Sequence, residues 1–395
     1  MLVLAGGLAL VAIPARRLGV AAAVATALAI RVVFGLGTYW AGPLAPDAVV
    51  YDERAQAIYL AWAGLGPSVD LTVGKEGFPY LLAGIYWLVG YAPEVGILIN
   101  AVAGAGTVVL TAYTCRRLQW QRAVTPAAWL LALWPASIYW GPLLLREAIV
   151  TLLLALALLG SVLLRTQRYV VGAAVLAAAG ISMIWMRGGL ALLVLVGMPV
   201  LVGVSHVIPQ PSWAGLRRSV PFLAVGLAIA VPLLRGSLPV VSDRVDEADY
   251  FDDTRREVVA EALDAGATSF TAAGVTADNP LWQFVNVAVG PLPMAWRNLP
   301  LLLAGFDAVL WIALWALAVL GYRYTTTSRW GVVLSVVPAL ALLVYLSISL
   351  TNFGLIMRLR ALGLPFLAPL AAVGIALLIE RLRRPRTPSG PDLHT

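Results

Sequence analysis

The sequence predicts an all-α polytopic membrane protein, a bundle of about 10–11 transmembrane helices with two long external loops. Three observations predict it. Hydrophobic residues make up 61% of the 395 residues and charged ones only 12%, against roughly 25% charged in an ordinary soluble domain. The mean hydropathy is +0.88. The apolar residues are gathered into runs near the ~20 residues that a helix needs to cross a bilayer. No water-soluble fold of this length hides so much apolar surface. In lipid the backbone must satisfy its own hydrogen bonds, which selects helices.

The runs fall at about 19–42, 95–114, 123–141, 148–164, 169–186, 189–207, 219–234, 299–321, 330–350 and 361–380. Met1 to Pro14 is a shorter apolar stretch. It reads as an extra span, an interfacial helix or a signal-like segment. Residues 1–386 form a single integral membrane domain, and 387–395 a cytoplasmic tail. The positive-inside rule orients the set. Arg16, Arg17, Arg116, Arg117, Arg122, Arg165, Arg168, Arg217, Arg218, Arg323, Arg329, Arg381, Arg383, Arg384 and Arg386 fall on one side, 15 of the 27 basic residues. That side is cytoplasmic. The external face then carries two long loops, about 43–93 and 235–298, and any chemistry belongs there.

Composition excludes several functions. One cysteine (Cys115) and two histidines (His206 and His394) rule out a Cys/His metal cluster and a relay built on an internal histidine pair. Glycine-rich phosphate loops are missing, which argues against a nucleotide-driven machine. The net charge of +7 does not indicate nucleic acid, because the arginines punctuate membrane spans. Acid–base work must rest on carboxylates, tyrosines or the single lysine.

The first external loop opens with Pro46, a good first helical residue, and Asp47 lies in the first turn, where a negative charge suits the helix dipole. Asp47, Tyr51 and Ala55 share one helix face, while Asp52 and Glu53 point elsewhere. Asp47 reads as a helix cap or as a positioned base. Lys75 is the one lysine in a chain that otherwise spells every positive charge Arg. It reads as a solvated loop residue or as a phosphate partner.

Other polar groups sit at the outer ends of spans. Arg146 and Glu147 open the span after Trp134–Pro142, and a mutual salt bridge is their plain explanation. Arg187 follows Trp185 and Met186 at the next external turn, and Arg358 and Arg360 lie at the last one. Each arginine reads as a snorkelling anchor. Several external arginines at once break the topology rule, and an anionic lipid phosphate would supply a reason. Arg31 and Asp307 lie within spans. The second loop is acidic, with Asp249, Asp253, Glu257 and Glu261 on one helix face, a solvated face rather than a metal site, since EF-hand spacing is missing.

These residues carry a resemblance. The chain resembles the GT-C superfamily of membrane glycosyltransferases, the group containing protein O-mannosyltransferases and lipid A aminoarabinose transferases, in its compact bacterial form without a large C-terminal soluble domain. Four places carry it. They are Arg31 with Asp47-x-x-x-Tyr51, Gly77-Phe78-Pro79-Tyr80, Trp134-Pro135 through Arg146-Glu147, and Asn352-x-Gly354 through Arg358-x-Arg360. The resemblance implies an inverting transfer of a sugar from a polyprenyl-phosphate donor to a glycan, lipid or protein acceptor on the extracytoplasmic side of a bacterial plasma membrane. It implies Asp47 as base, Glu147 orienting the acceptor or Arg146, and Lys75, Arg187, Arg358 and Arg360 as ligands of the donor phosphate. Tyr51, Asp52, Glu53 and Arg146 would be secondary. No cofactor is required. Some relatives use a divalent metal, to which Asp47, Asp52 and Glu53 would offer oxygens. A lipid-linked oligosaccharide polymerase or ligase remains the nearest alternative, and a lipid-linked substrate transporter the non-enzymatic one.

Overall fold

A computed structural model describes residues 2–42, 45–69, 77–207, 213–229, 280–291, 293, 299–325, 329–350 and 352–383. Lys75 and the acidic stretch from Asp243 to Asp264 lie outside them. The described chain is helical, in order α1 (Leu2–Leu18), α2 (Ala21–Ala41), α3 (Pro46–Trp62), α4 (Gly77–Val89), α5 (Pro93–Arg117), α6 (Val124–Ala132), α7 (Pro135–Trp140), α8 (Glu147–Arg165), α9 (Tyr169–Leu192) and α10 (Met198–Val207). There follow α11 (213–229) and α12 (Pro280–Val289), α13 (Leu299–Tyr322), α14 (Arg329–Ser349), α15 (Phe353–Arg360) and α16 (Leu364–Arg383). Among the described residues seven helical stretches are long and apolar enough to cross a membrane. Val33, Val170 and Leu382 are largely exposed while Arg31, Glu147 and Arg360 are buried. That inversion of the soluble pattern belongs to a bundle solvated by lipid. The protein is an all-α polytopic membrane protein.

One of the seven stretches, Tyr169–Val207, is 39 residues long and is not straight. Arg187 has φ −160° and ψ 81°, outside the helical region. The Cβ position of Gly180 abuts the side chain of Leu195, although a straight helix would hold those residues about 22 Å apart. The stretch is therefore a hairpin with Arg187 at its turn, as the separate runs at 169–186 and 189–207 predict.

The main core joins α2, α5, α6, α8, α9, α13, α14 and α16. Two glycines bring α13 and α16 into backbone contact. A Cβ on Gly321 would strike the carbonyl of Leu370, and one on Gly374 that of Leu317. Small residues at such contacts let helices pack where lipid removes the hydrophobic drive. A satellite core of Ala55, Ile58, Phe78, Leu82, Ala83, Tyr86, Ile97 and Leu144 seats α3 and α4 against α5.

α8 sets the two ends of the bundle. Its 19 residues rise about 28 Å from Glu147 to Arg165. At the Arg165 end, Arg122 pairs with Glu380, Arg165 lies over Trp330, and Arg381 donates to the Tyr324 hydroxyl. This is the arginine-rich end. The opposite end holds the turn at Arg187, the start of α3 and α15.

Candidate functional site

The site end is built by helix breaks. Pro135 has no N–H, so the carbonyl of Leu131 loses the donor that a continuous helix would give it. Arg31 replaces that donor from α2. Its Nη2 donates to Leu131 O at 3.1 Å and its Nη1 to Ala132 O at 3.2 Å and Ala27 O at 3.1 Å. Arg31 thus finds backbone partners at the end of α6. The non-helical stretch from Gly141 to Arg146 also needs donors for its carbonyls. Asn100 of α5 supplies them to Leu143 O and Leu145 O, at 2.5 and 2.9 Å. This tether fixes where α8 begins, and so where Arg146 and Glu147 stand.

Five charged side chains converge there. Arg358 Nη1 donates to Asp47 Oδ2 at 2.5 Å. Arg358 Nη2 lies 2.8 Å from Glu147 Oε1, and Arg187 Nη1 lies 3.8 Å from the same oxygen. Arg146 turns away from its sequence neighbour Glu147 and donates to the carbonyl of Met186 at 3.1 Å. The plain reading of a mutual Arg146–Glu147 bridge therefore gives way to pairing with helices distant in sequence. Glu147 is buried, and Asp47 is half-exposed. Tyr51 stands beside them, and burial holds its phenol above the ordinary value, with Arg146 pulling it down.

Neighbouring segments hold this geometry. A Cβ on Gly77 would lie 2.6 Å from the carbonyl oxygen of Trp185, so only glycine lets α4 start against the Arg187 turn. Asn352 caps α15 by accepting from the backbone N–H of Gly354 at 2.8 Å, a standard helix start. Arg358 lies over the Trp140 ring. A small cavity of about 30 Å³ opens beneath the cluster, between Arg31, Ser137, Trp140, Glu147, Thr151 and Arg358. A second cavity of about 130 Å³ lies between α2 and α3, lined by Tyr39, Ala48, Asp52 and Leu144 among others.

The cluster is unbalanced. Three arginines face two carboxylates among the described residues. Four buried N–H donors in it, Arg146 Nε, Arg187 Nη1, Arg358 Nε and Trp140 Nε1, make no hydrogen bond, and neither do the two Glu147 carboxylate oxygens, of which Oε1 is ion-paired with Arg358 and Arg187. Buried donors left unpaired are costly. An arrangement with spare donors and spare positive charge is suited to receive an anion.

The remaining candidates separate. Arg360 is two residues from Arg358 on one helix, so the two point in different directions. Arg360 is fully buried and pairs with Asp307 at 2.5 Å. It also donates to Gly290 O at 3.0 Å and Val287 O at 3.3 Å, and it lies over Trp311. It joins α12, α13 and α15, and does not enter the cluster as the sequence reading expected. Asp52 accepts from Tyr86 at 2.5 Å and from Tyr91 at 2.7 Å, which ties α3 to α4 and to the link that leads into α5. Burial and this bond raise the Tyr91 phenol above its ordinary value. Glu53 is exposed.

Sequence reasoning missed Asn100, Trp140 and the Tyr86–Asp52–Tyr91 group. A lone asparagine in an apolar span was a usable signal for the first. Nothing in the spacing announces the other two.

The fold and this cluster define a polytopic helical membrane protein with a buried charged cluster at one end of its bundle. No protein-family model matches the chain, and no curated protein matches it.

Proposed function

We propose that the protein is a membrane glycosyltransferase. It moves a sugar, with inversion, from a polyprenyl-phosphate donor to a hydroxyl of a glycan, lipid or protein acceptor at the extracytoplasmic face of a bacterial plasma membrane. One observation carries this reading: three arginines with unpaired buried donors surround two carboxylates, at the end of the bundle away from the arginine-rich end. The donor's leaving group is a phosphate, and cations with fixed donors stabilise the charge that develops on it. Its tail is apolar, which suits a site set in a membrane domain. The acceptor hydroxyl must lose a proton, which asks for a positioned carboxylate.

Arg358, Arg187 and Arg146 hold the phosphate. Lys75 is assigned the same role on its sequence alone. Asp47, the more accessible acid, takes the acceptor's proton as its oxygen bonds to the anomeric carbon. The anomeric C–O bond breaks, and its electron pair leaves with the phosphate. Glu147 keeps Arg358 and Arg187 in place.

The test uses the full chain in lipid nanodiscs and a radiolabelled polyprenyl-phosphate sugar. Arg358→Ala and Arg187→Ala are expected to lose most donor binding, each removing charge-assisted bonds of about 1.5–3 kcal/mol. Unchanged donor binding in both variants would refute the reading.

A further inference from the structure

Arg358 is shared between two carboxylates that are held very differently. Glu147 is 5% exposed and has Arg187 as a second cation, whereas Asp47 is 55% exposed. Asp47 sits in the first turn of α3, and among the described residues its ion-pair partner is Arg358. A phosphate reaching Arg358 from the exposed side competes with Asp47 for the same guanidinium edge. Displacing Asp47 is the easier exchange, because water solvates the freed carboxylate. Displacing Glu147 would strand a charge in a buried site, a much costlier outcome.

We propose that Asp47 is the resident anion of the phosphate site. It holds Arg358 while the site is empty and is released when a phosphate binds. The inference rests on the phosphate reading proposed above and deepens it, because it makes donor binding control the base. While Arg358 donates to it, the Asp47 Oδ2 oxygen is occupied and is turned to the guanidinium rather than to an acceptor hydroxyl. Donor phosphate takes over the Arg358 N–H, and the Asp47 oxygen is freed to meet the acceptor hydroxyl when a leaving group is in place. The acceptor proton then passes to the freed Asp47 carboxylate, while the phosphate that Arg358 holds departs with the electron pair of the broken anomeric bond. Binding is therefore ordered, donor before acceptor deprotonation.

The consequence is unusual for an active-site acid: removing it strengthens donor binding. The test titrates farnesyl phosphate into the full-length protein in phosphatidylcholine nanodiscs, with inorganic phosphate as a competitor to separate headgroup from tail binding. Asp47→Asn is expected to bind about tenfold tighter than the unaltered protein, the ratio equivalent to about 1.4 kcal/mol. Asp47→Ala should do the same. Glu94→Gln removes a carboxylate from the first turn of α5, outside the charged cluster, and should stay within about twofold. In an Arg358→Ala background, Asp47→Asn should bring no gain, because the competition has lost its object. Equal or weaker binding by Asp47→Asn, with Arg358→Ala still weakening the unaltered protein, overturns the inference and leaves the phosphate reading standing. Binding that does not depend on Arg358 overturns both.

Discussion

Arg358 donates to Asp47 across 311 positions of the chain, at 2.5 Å. The contact joins the first turn of α3 to the last turn of α15 and closes one end of the bundle. Glu147, at the start of α8, and Arg187, at the turn of the α9 hairpin, meet the same guanidinium system. Four segments that are remote in sequence thus share one charged cluster, apart from the Arg360–Asp307 pair.

The Arg360–Asp307 pair is a structural joint. Both side chains are almost fully buried, so Asp307→Asn leaves a buried guanidinium without its counter-charge. Breaking one partner of such a pair costs about 3–5 kcal/mol. Thermal unfolding in detergent is expected to show a large drop for Asp307→Asn. An apolar pair, Asp307→Leu with Arg360→Met, should recover part of it. Recovery stays partial because the carbonyls of Val287 and Gly290 lose their donor. If Asp307→Asn unfolds normally but loses donor binding, Arg360 is a ligand contact after all.

The contrast between Arg358 and Arg360 shows what was legible in the sequence. The helical spans were readable because lipid imposes a composition on every turn of every crossing helix. The hairpin at Arg187 was readable too, from an arginine between two apolar runs. Asp47, Glu147, Arg187 and Arg358 stand out in the sequence as charges at the ends of apolar runs, and they meet. Which arginine of Arg358 and Arg360 joins them is not readable, because that depends on the rotation of the short helix α15, and its neighbours come from other parts of the chain. The donors from Arg31 and Asn100 answer helix breaks, so their partners are backbone carbonyls that carry no sequence mark.

Helix contact at the glycines of α13 and α16 tolerates no added atom. Gly374→Ala places a methyl against the backbone of Leu317, and overpacking of this kind costs about 1–3 kcal/mol. Gly84→Ala meets nothing within 4 Å and should be neutral or slightly stabilising, by up to about 1 kcal/mol. Melting curves of the two variants, purified side by side, check the contrast. Equal midpoints would mean that α13 and α16 do not touch.

Cys115 is the chain's one cysteine and is buried, so a Cys115→Ala background makes labelling simple. A membrane-impermeant maleimide applied to whole cells is expected to label Val50→Cys and Glu53→Cys. Arg122→Cys and Tyr324→Cys should react only after lysis. The arginine-rich end then faces the cytoplasm, as the positive-inside rule requires. Labelling of both sets from one side would overturn the arrangement in which α8 separates the two ends.

The last prediction concerns the base. Asp47→Asn keeps the shape of the side chain but cannot take the acceptor's proton, so transfer should fall by about 10²–10⁴. Donor binding should not fall, which separates this loss from misfolding. Asp52→Asn is expected to cost much less, because its carboxylate accepts from Tyr86 and Tyr91 and lies on another face of α3. Glu147→Gln should mainly weaken donor binding, since that carboxylate holds Arg358 and Arg187. Rates of sugar transfer at saturating donor, beside donor affinities for the same proteins, distinguish the three. Near-normal transfer by Asp47→Asn, with Glu147→Gln inactive at saturating donor, would move the base to Glu147. Normal transfer in all three variants would remove carboxylate base catalysis from the mechanism, because Asp47 and Glu147 are the acids that meet Arg358.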